Sequence, residues 1–183
     1  CVRGRVEDSG YAGEVAEGIR LHRAVDRFTD DHPAFKVCKA MLLPERRRFA
    51  GITVDIYYDH FLTREWAVFE KEVEVGVFIE RCYRVLEENV GILPPLLAGA
   101  LPRMRGEDWL ASYGTVEGVE ETLARVARRS PKVSGMVGGG EDLRANYAGM
   151  REAFLGFFPE LLEFASGGAA TKNPPGRTGD RAG

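Results

Sequence analysis

No apolar run in this chain approaches the ~20 residues that a membrane span requires, and no stretch has the pattern of a secretory signal. No membrane association is therefore expected. Cysteine is scarce: Cys1, Cys38 and Cys82 are odd in number, far apart and free of any C-x-x-C spacing. That argues against a disulfide scaffold or a zinc-thiolate site and points to a reducing cytoplasm. Cys38 and Cys82 lie in helical apolar patterns and are expected in the core. Neither sign of charge dominates, and a net charge of −3 lacks the basic surface of a nucleic-acid binder. There is no G-x-S-x-G elbow, phosphate-cradling glycine loop or dinucleotide fingerprint. Gly138-Gly139-Gly140 is a lone glycine run and reads as a hinge. No internal repeat occurs, and no alternating strand pattern survives. Ile52–Tyr57 is β-like in composition, but its flanks continue a helical period.

What is present is a chain of 183 residues with 44% hydrophobic and 29% charged residues, ordinary values for a globular domain large enough to bury a real core. The expected organisation is one all-α domain over residues 1–166 and a disordered tail over 167–183, which has no apolar period. Helices are expected at Glu14–Thr29, Pro33–Leu43, Pro44–Trp66 (weakest at Gly51), Val75–Val90, Leu93–Leu101, Gly106–Tyr113, Val116–Arg129 and Glu141–Ala165. The last is expected to bend near Pro159.

Two stretches carry chemistry. His22 and Asp26, with Asp30 one turn further, share one helix face, as do Asp55 and Asp59, because positions four apart are neighbours on a helix. Imidazole with carboxylates suits Mn²⁺, Fe²⁺ or Zn²⁺, and oxygen-rich surroundings shift the preference to Mn²⁺ or Mg²⁺. Spacing leaves two readings open for the first stretch: a ligand set, or a solvated stripe with Asp26 paired to Arg23 or Arg27. Asp55, Asp59 and the adjacent His60 sit among Ile52, Val54, Ile56, Tyr57, Tyr58 and Phe61. Carboxylates there are costly to bury unless paired or metal-bound. His32, before Pro33, reads as a capping or surface residue.

These residues resemble a known family. Gly18–Asp30 matches G-I-x-x-H-R-x-I-D-x-x-T-D with Val25 at the second apolar position, and Ile52–Leu62 matches I-T-x-D-x-x-x-D-H-F-L, with Trp66 beyond. Weaker likeness runs through Trp109-Leu110, Arg128–Pro131 and Tyr147–Pro159. The chain is thereby similar to the acyl carrier protein phosphodiesterases, or acyl carrier protein hydrolases, over about residues 1–165. The resemblance implies a helical fold distantly like HD-domain phosphohydrolases. It also implies hydrolysis of the phosphodiester joining 4′-phosphopantetheine to acyl carrier protein, in lipid metabolism, with a divalent cation, Mn²⁺ by preference over Mg²⁺ or Fe²⁺. The pattern departs at the start. Family members carry a Leu- and His-rich segment running into Arg-Gly, of which Cys1–Gly4 is the remnant. The expectation is that an aspartate ligand in that segment is missing here.

On this reading His22, Asp26, Asp59 and His60 form the candidate ligand or base set, with Asp55 and Asp30 as additional or orienting ligands. Arg23 is placed to bind phosphate bidentately. An acidic carrier protein calls for a basic docking face, expected at Arg46, Arg47 and Arg48, with Arg128, Arg129 and Lys132 as a second patch. Two other outcomes remain: an HD-like phosphohydrolase acting on a nucleotide or small phosphodiester, and an inactive member that only docks the carrier.

Overall fold

The computed structural model describes residues 10–11, 13–129 and 131–167. The expected tail lies outside the described residues from 168 onward, as do Cys1–Gly4. Among the described residues there is no strand, so the all-α expectation holds. Ten helices follow in order: α1 (Gly13–Asp31), α2 (Pro33–Met41), α3 (Ala50–Arg64), α4 (Trp66–Phe69), α5 (Val75–Glu88), α6 (Pro95–Gly106), α7 (Trp109–Ser112), α8 (Val116–Ala127), α9 (Gly139–Ala145) and α10 (Tyr147–Ala165). None is long and apolar enough to cross a membrane.

α3 is the central rod. Val54, Tyr57 and Phe61 on it are fully buried, and Thr53, Ile56, Tyr58 and His60 are nearly so. Phe35 and Cys38 of α2, Leu42 just after it, Val119 and Leu123 of α8, Leu143 of α9 and Met150, Phe154 and Phe157 of α10 complete one core around it. A helix covered on most sides needs apolar residues nearly all round, which is why Ile52–Tyr57 resembles a strand in composition. Aromatic rings lock the contacts: Tyr58 meets Phe35 edge-on at 5.5 Å and Phe154 at 5.2 Å between centroids, a geometry their quadrupoles favour. Cys38 is buried as expected, its Sγ 3.6 Å from the Tyr58 hydroxyl; Cys82 is only half-buried.

α1 anchors through its C-terminal half, where Phe28 stacks on Phe164 at 4.6 Å. It ends at His32, whose Nδ1 accepts from the Ala34 N–H at 3.2 Å and caps α2, with Pro33 needing no N–H at the first position. The capping expectation for His32 holds. α5, α6 and α7 pack on one another as an outer module, joined by Tyr83, whose buried hydroxyl donates to the Met104 carbonyl at 3.0 Å and accepts from the Leu110 N–H at 2.9 Å.

Several boundaries differ from expectation. The single helix over Pro44–Trp66 is instead a turn, a 3₁₀ segment at Arg47–Phe49 and then α3 from Ala50. Arg47 causes the break: its guanidinium donates to the carbonyls of Leu42 at 3.0 Å and Ala40 at 3.2 Å, folding the chain back on the end of α2. The helix expected at Glu141–Ala165 divides at Asn146, and α10 then runs through Pro159 without ending. Gly138–Gly140 is no hinge. Gly138, at φ 83°, starts α9, while Gly139 and Gly140 are buried where side chains from α3 and α8 press on the backbone. A Cβ on Gly140 would collide with Glu120, and one on Gly139 would crowd Leu123 and Tyr57. Close approach, rather than flexibility, demands glycine here.

Candidate active site

α3 keeps one open stripe. Ile52, Asp55 and Asp59 are exposed, spaced three and four apart so that they share a face, while the residues between them are buried. Asp55 and Asp59 are open to solvent at their tips yet crowded by protein around them. Crowding of this kind disfavours the charged form. Asp55 is pushed up to about 6, first by burial, then by the negative charges of Asp30 and Asp26 on α1, with Lys39 of α2 pulling the other way. Asp59 is pushed up to about 7 by burial and then by Asp55. The electrostatics thus bring the two motif helices together: Asp26 and Asp30 from α1 act on Asp55, and Asp55 acts on Asp59.

His22 lies on the same face of α1, its Nε2 3.5 Å from an Asp26 carboxylate oxygen, with both side chains more than half exposed. Lys39 approaches Asp30 at 3.5 Å. Arg23 is half-buried beside His22. Tyr113, which local spacing gave no reason to single out, stands close enough to Asp59 that the carboxylate adds to burial in raising its phenol to about 12. Lys39 was missed for the same reason: each sits on a different element from the aspartate it faces.

His60 does not join this set. Its ring is buried, with Nδ1 2.7 Å from the Tyr113 carbonyl and Nε2 3.0 Å from the Tyr147 hydroxyl. Both nitrogens are committed to protein partners. Burial lowers its pKa against the pull of that carbonyl, so it is held neutral and structural. The expectation that His60 is a ligand or base is corrected, because the residue after Asp59 points about 100° away on a helix. Asp55, expected to be secondary, is the aspartate of α3 on which the charges of Asp30 and Asp26 act.

A divalent cation suits the donor chemistry of this set, four carboxylates and an imidazole. Among the described residues, however, no group of three or more such donors is arranged to hold an ion.

The basic triad is also divided by the fold. Arg46 is 12% exposed and turned inward, 3.4 Å from Asp142 and 3.6 Å from Glu141, so its assignment to a docking face is corrected. Arg47 is bound to backbone carbonyls, as above. Arg48 is exposed, lies 5.0 Å over the Phe49 ring and, with Lys132, borders a depression of about 340 Å³ that includes Ile52 and Val133. Arg128 and Arg129 are exposed at the end of α8.

A model of the acyl carrier protein phosphodiesterase family matches residues 1–161. The chain belongs to that family. It is 32% identical to an acyl carrier protein phosphodiesterase of Escherichia coli O157:H7 over 168 residues, 90% of this chain and 85% of that protein. It is 31% identical to one from Photorhabdus laumondii over 164 residues, covering 90% and 82%, and 30% identical to one from Serratia proteamaculans over 155 residues, covering 85% and 80%. No solved structure matches the chain.

Proposed function

We propose that this protein is a hydrolase that cleaves the phosphodiester between 4′-phosphopantetheine and acyl carrier protein, acting in the cytoplasm on the carrier of fatty acid synthesis. Family membership supports the reaction class. The observation that supports the site is the exposed Asp55–Asp59 face of α3, where burial and then the charges of Asp30 and Asp26 push Asp55 up, and burial and then Asp55 push Asp59 up.

A carboxyl near 7 is divided between acid and base at neutral pH, the condition for effective general acid–base work. Water attacks phosphorus, the bond from phosphorus to the carrier's serine oxygen breaks, and that oxygen leaves with a proton. The products are apo carrier and free 4′-phosphopantetheine. Asp59 is the candidate to move the proton, with the Tyr113 side chain beside it. Arg23 is the candidate to bind the phosphate oxygens. His22, Asp26, Asp30 and Asp55 supply the donor types a divalent cation takes, Mn²⁺ by preference, although no three donors converge among the described residues; such an ion would supply charge neutralisation at the phosphate and a water of lowered pKa. Arg48, with Arg128 and Arg129, supplies the cationic rim for an acidic carrier.

The test is mass spectrometry of holo acyl carrier protein incubated with the protein and Mn²⁺, with an EDTA control. Loss of the phosphopantetheinyl group, abolished by EDTA, is expected. An intact carrier that binds in a salt-sensitive way would establish the docking-only reading. Turnover of nucleotides without action on the carrier would establish the other phosphohydrolase reading.

A further inference from the structure

The open stripe of α3 runs from one surface cavity to another, and the two have opposite character. Its N-terminal end, at Ile52, meets the depression bordered by Arg48 and Lys132, where the lining charge is positive. Its C-terminal end, at Thr63, opens into a groove of about 500 Å³ between α3, α4 and the start of α5. Thr63 lies one turn beyond Asp59, about 6 Å along the axis, and its hydroxyl donates to the Asp59 carbonyl at 2.9 Å.

The groove wall is Trp66, whose indole N–H donates to the Val73 carbonyl at 2.6 Å and whose ring packs on Phe78 at 4.6 Å. Val73 and Val75 continue the apolar lining, and Phe78 is 43% exposed at its edge. The charges that line the groove cancel: Arg64 and Lys71 against Glu70 and Glu74. An acidic protein gains no net attraction from such a surface. A neutral, extended chain of amides and methylenes finds both apolar wall and polar edge.

We propose that this groove holds the pantetheine arm of the substrate, while the carrier protein itself sits at the Arg48–Lys132 end. The occupant rests on the phosphodiesterase reading. The phosphodiester then lies over Asp55 and Asp59, with the serine side toward the cations and the thiol-ended arm running past Thr63 onto Trp66. The opening of the groove at Thr63, one helical turn from Asp59, and its balanced charge carry the inference.

The experiment fills the groove. Gly76 borders it at the second position of α5, and a Cβ there meets no neighbour within 4 Å, so Gly76→Phe is expected to fold and to project a ring into the space. In the Trp109→Phe background, Trp66 is the remaining tryptophan, and its fluorescence is titrated with reduced pantetheine. A saturable change that Gly76→Phe abolishes is expected, together with at least a tenfold fall in kcat/KM for holo carrier, mostly through KM. Hydrolysis of bis(4-nitrophenyl) phosphate, which lacks the arm, should be unchanged by Gly76→Phe. No response to pantetheine in the unfilled protein overturns the groove assignment, as does undiminished action of Gly76→Phe on holo carrier; either leaves the phosphodiesterase reading standing. Saturable pantetheine binding that Gly76→Phe abolishes, in a protein that never releases phosphopantetheine, overturns the enzymatic reading and keeps the groove.

Discussion

The two motif helices carry the same side-chain chemistry and put it to different uses. On α1, His22 and Asp26 are more than half exposed to solvent. On α3, Asp59 is open while the next residue, His60, is buried between Tyr113 and Tyr147. One helical step separates a candidate catalytic carboxyl from a core imidazole. A histidine's neighbours in space, rather than its neighbours in sequence, decide whether it serves chemistry or packing.

The contrast is sharpest in activity. Asp59→Ala, Asp26→Ala and Asp55→Ala should each lower phosphopantetheine release by about 10³-fold, the scale of lost acid–base or positioning groups, with helical content by circular dichroism unchanged. Full turnover by Asp55→Ala would break the link drawn between α1 and α3.

Stability should show the reverse pattern. His60→Ala removes two buried hydrogen bonds and opens a cavity, so urea unfolding should show a loss of about 3 kcal/mol. Arg46→Ala strands the buried Asp142 and should cost about 3 kcal/mol as well, whereas Arg48→Ala should leave stability unchanged. Arg48→Ala should instead raise KM for the carrier several-fold at low salt, an effect that shrinks as ionic strength rises.

The pH dependence of stability is a subtler effect. Asp55 and Asp59 stand near 6 and 7, above the ordinary 3.8, so between those limits the folded state holds more protons than the unfolded chain. Their contribution therefore falls as pH rises from about 4 through 7. His60, held neutral, opposes this below its ordinary 6.5. Comparing melting temperatures of the native protein and Asp59→Asn at pH 5 and pH 8 isolates the aspartate: the native protein should lose more stability on going to pH 8. Smallest of all is His22→Ala, which should change stability by less than about 0.5 kcal/mol, as expected of an exposed pair. A large loss there would erase the distinction between the two histidines.

Much of this was legible in the chain. The helical period of α1, α2, α5 and α8 was plain because each buries one face only. The motif spacing correctly put Asp26 and Asp30, and Asp55 and Asp59, on common faces. What misled was context. Arg47's bonds to the end of α2 broke a helix that local pattern left continuous. Gly139 and Gly140 carried no local sign that side chains of α3 and α8 press against them. Arg46 looked like its neighbours until Asp142, 96 residues away, turned it inward.

The sequence by itself determined an all-helical chain, its family, and the carboxylates available for chemistry, because helix periodicity and motif spacing are properties of residues close along the chain. Only the tertiary structure decided that the His60 ring is buried between Tyr113 and Tyr147, that the charges of Asp26 and Asp30 act on Asp55, and that Arg46 is internal while Arg48 is not. Those outcomes depend on burial and on charges from distant segments, and the local pattern that makes a helix does not specify either.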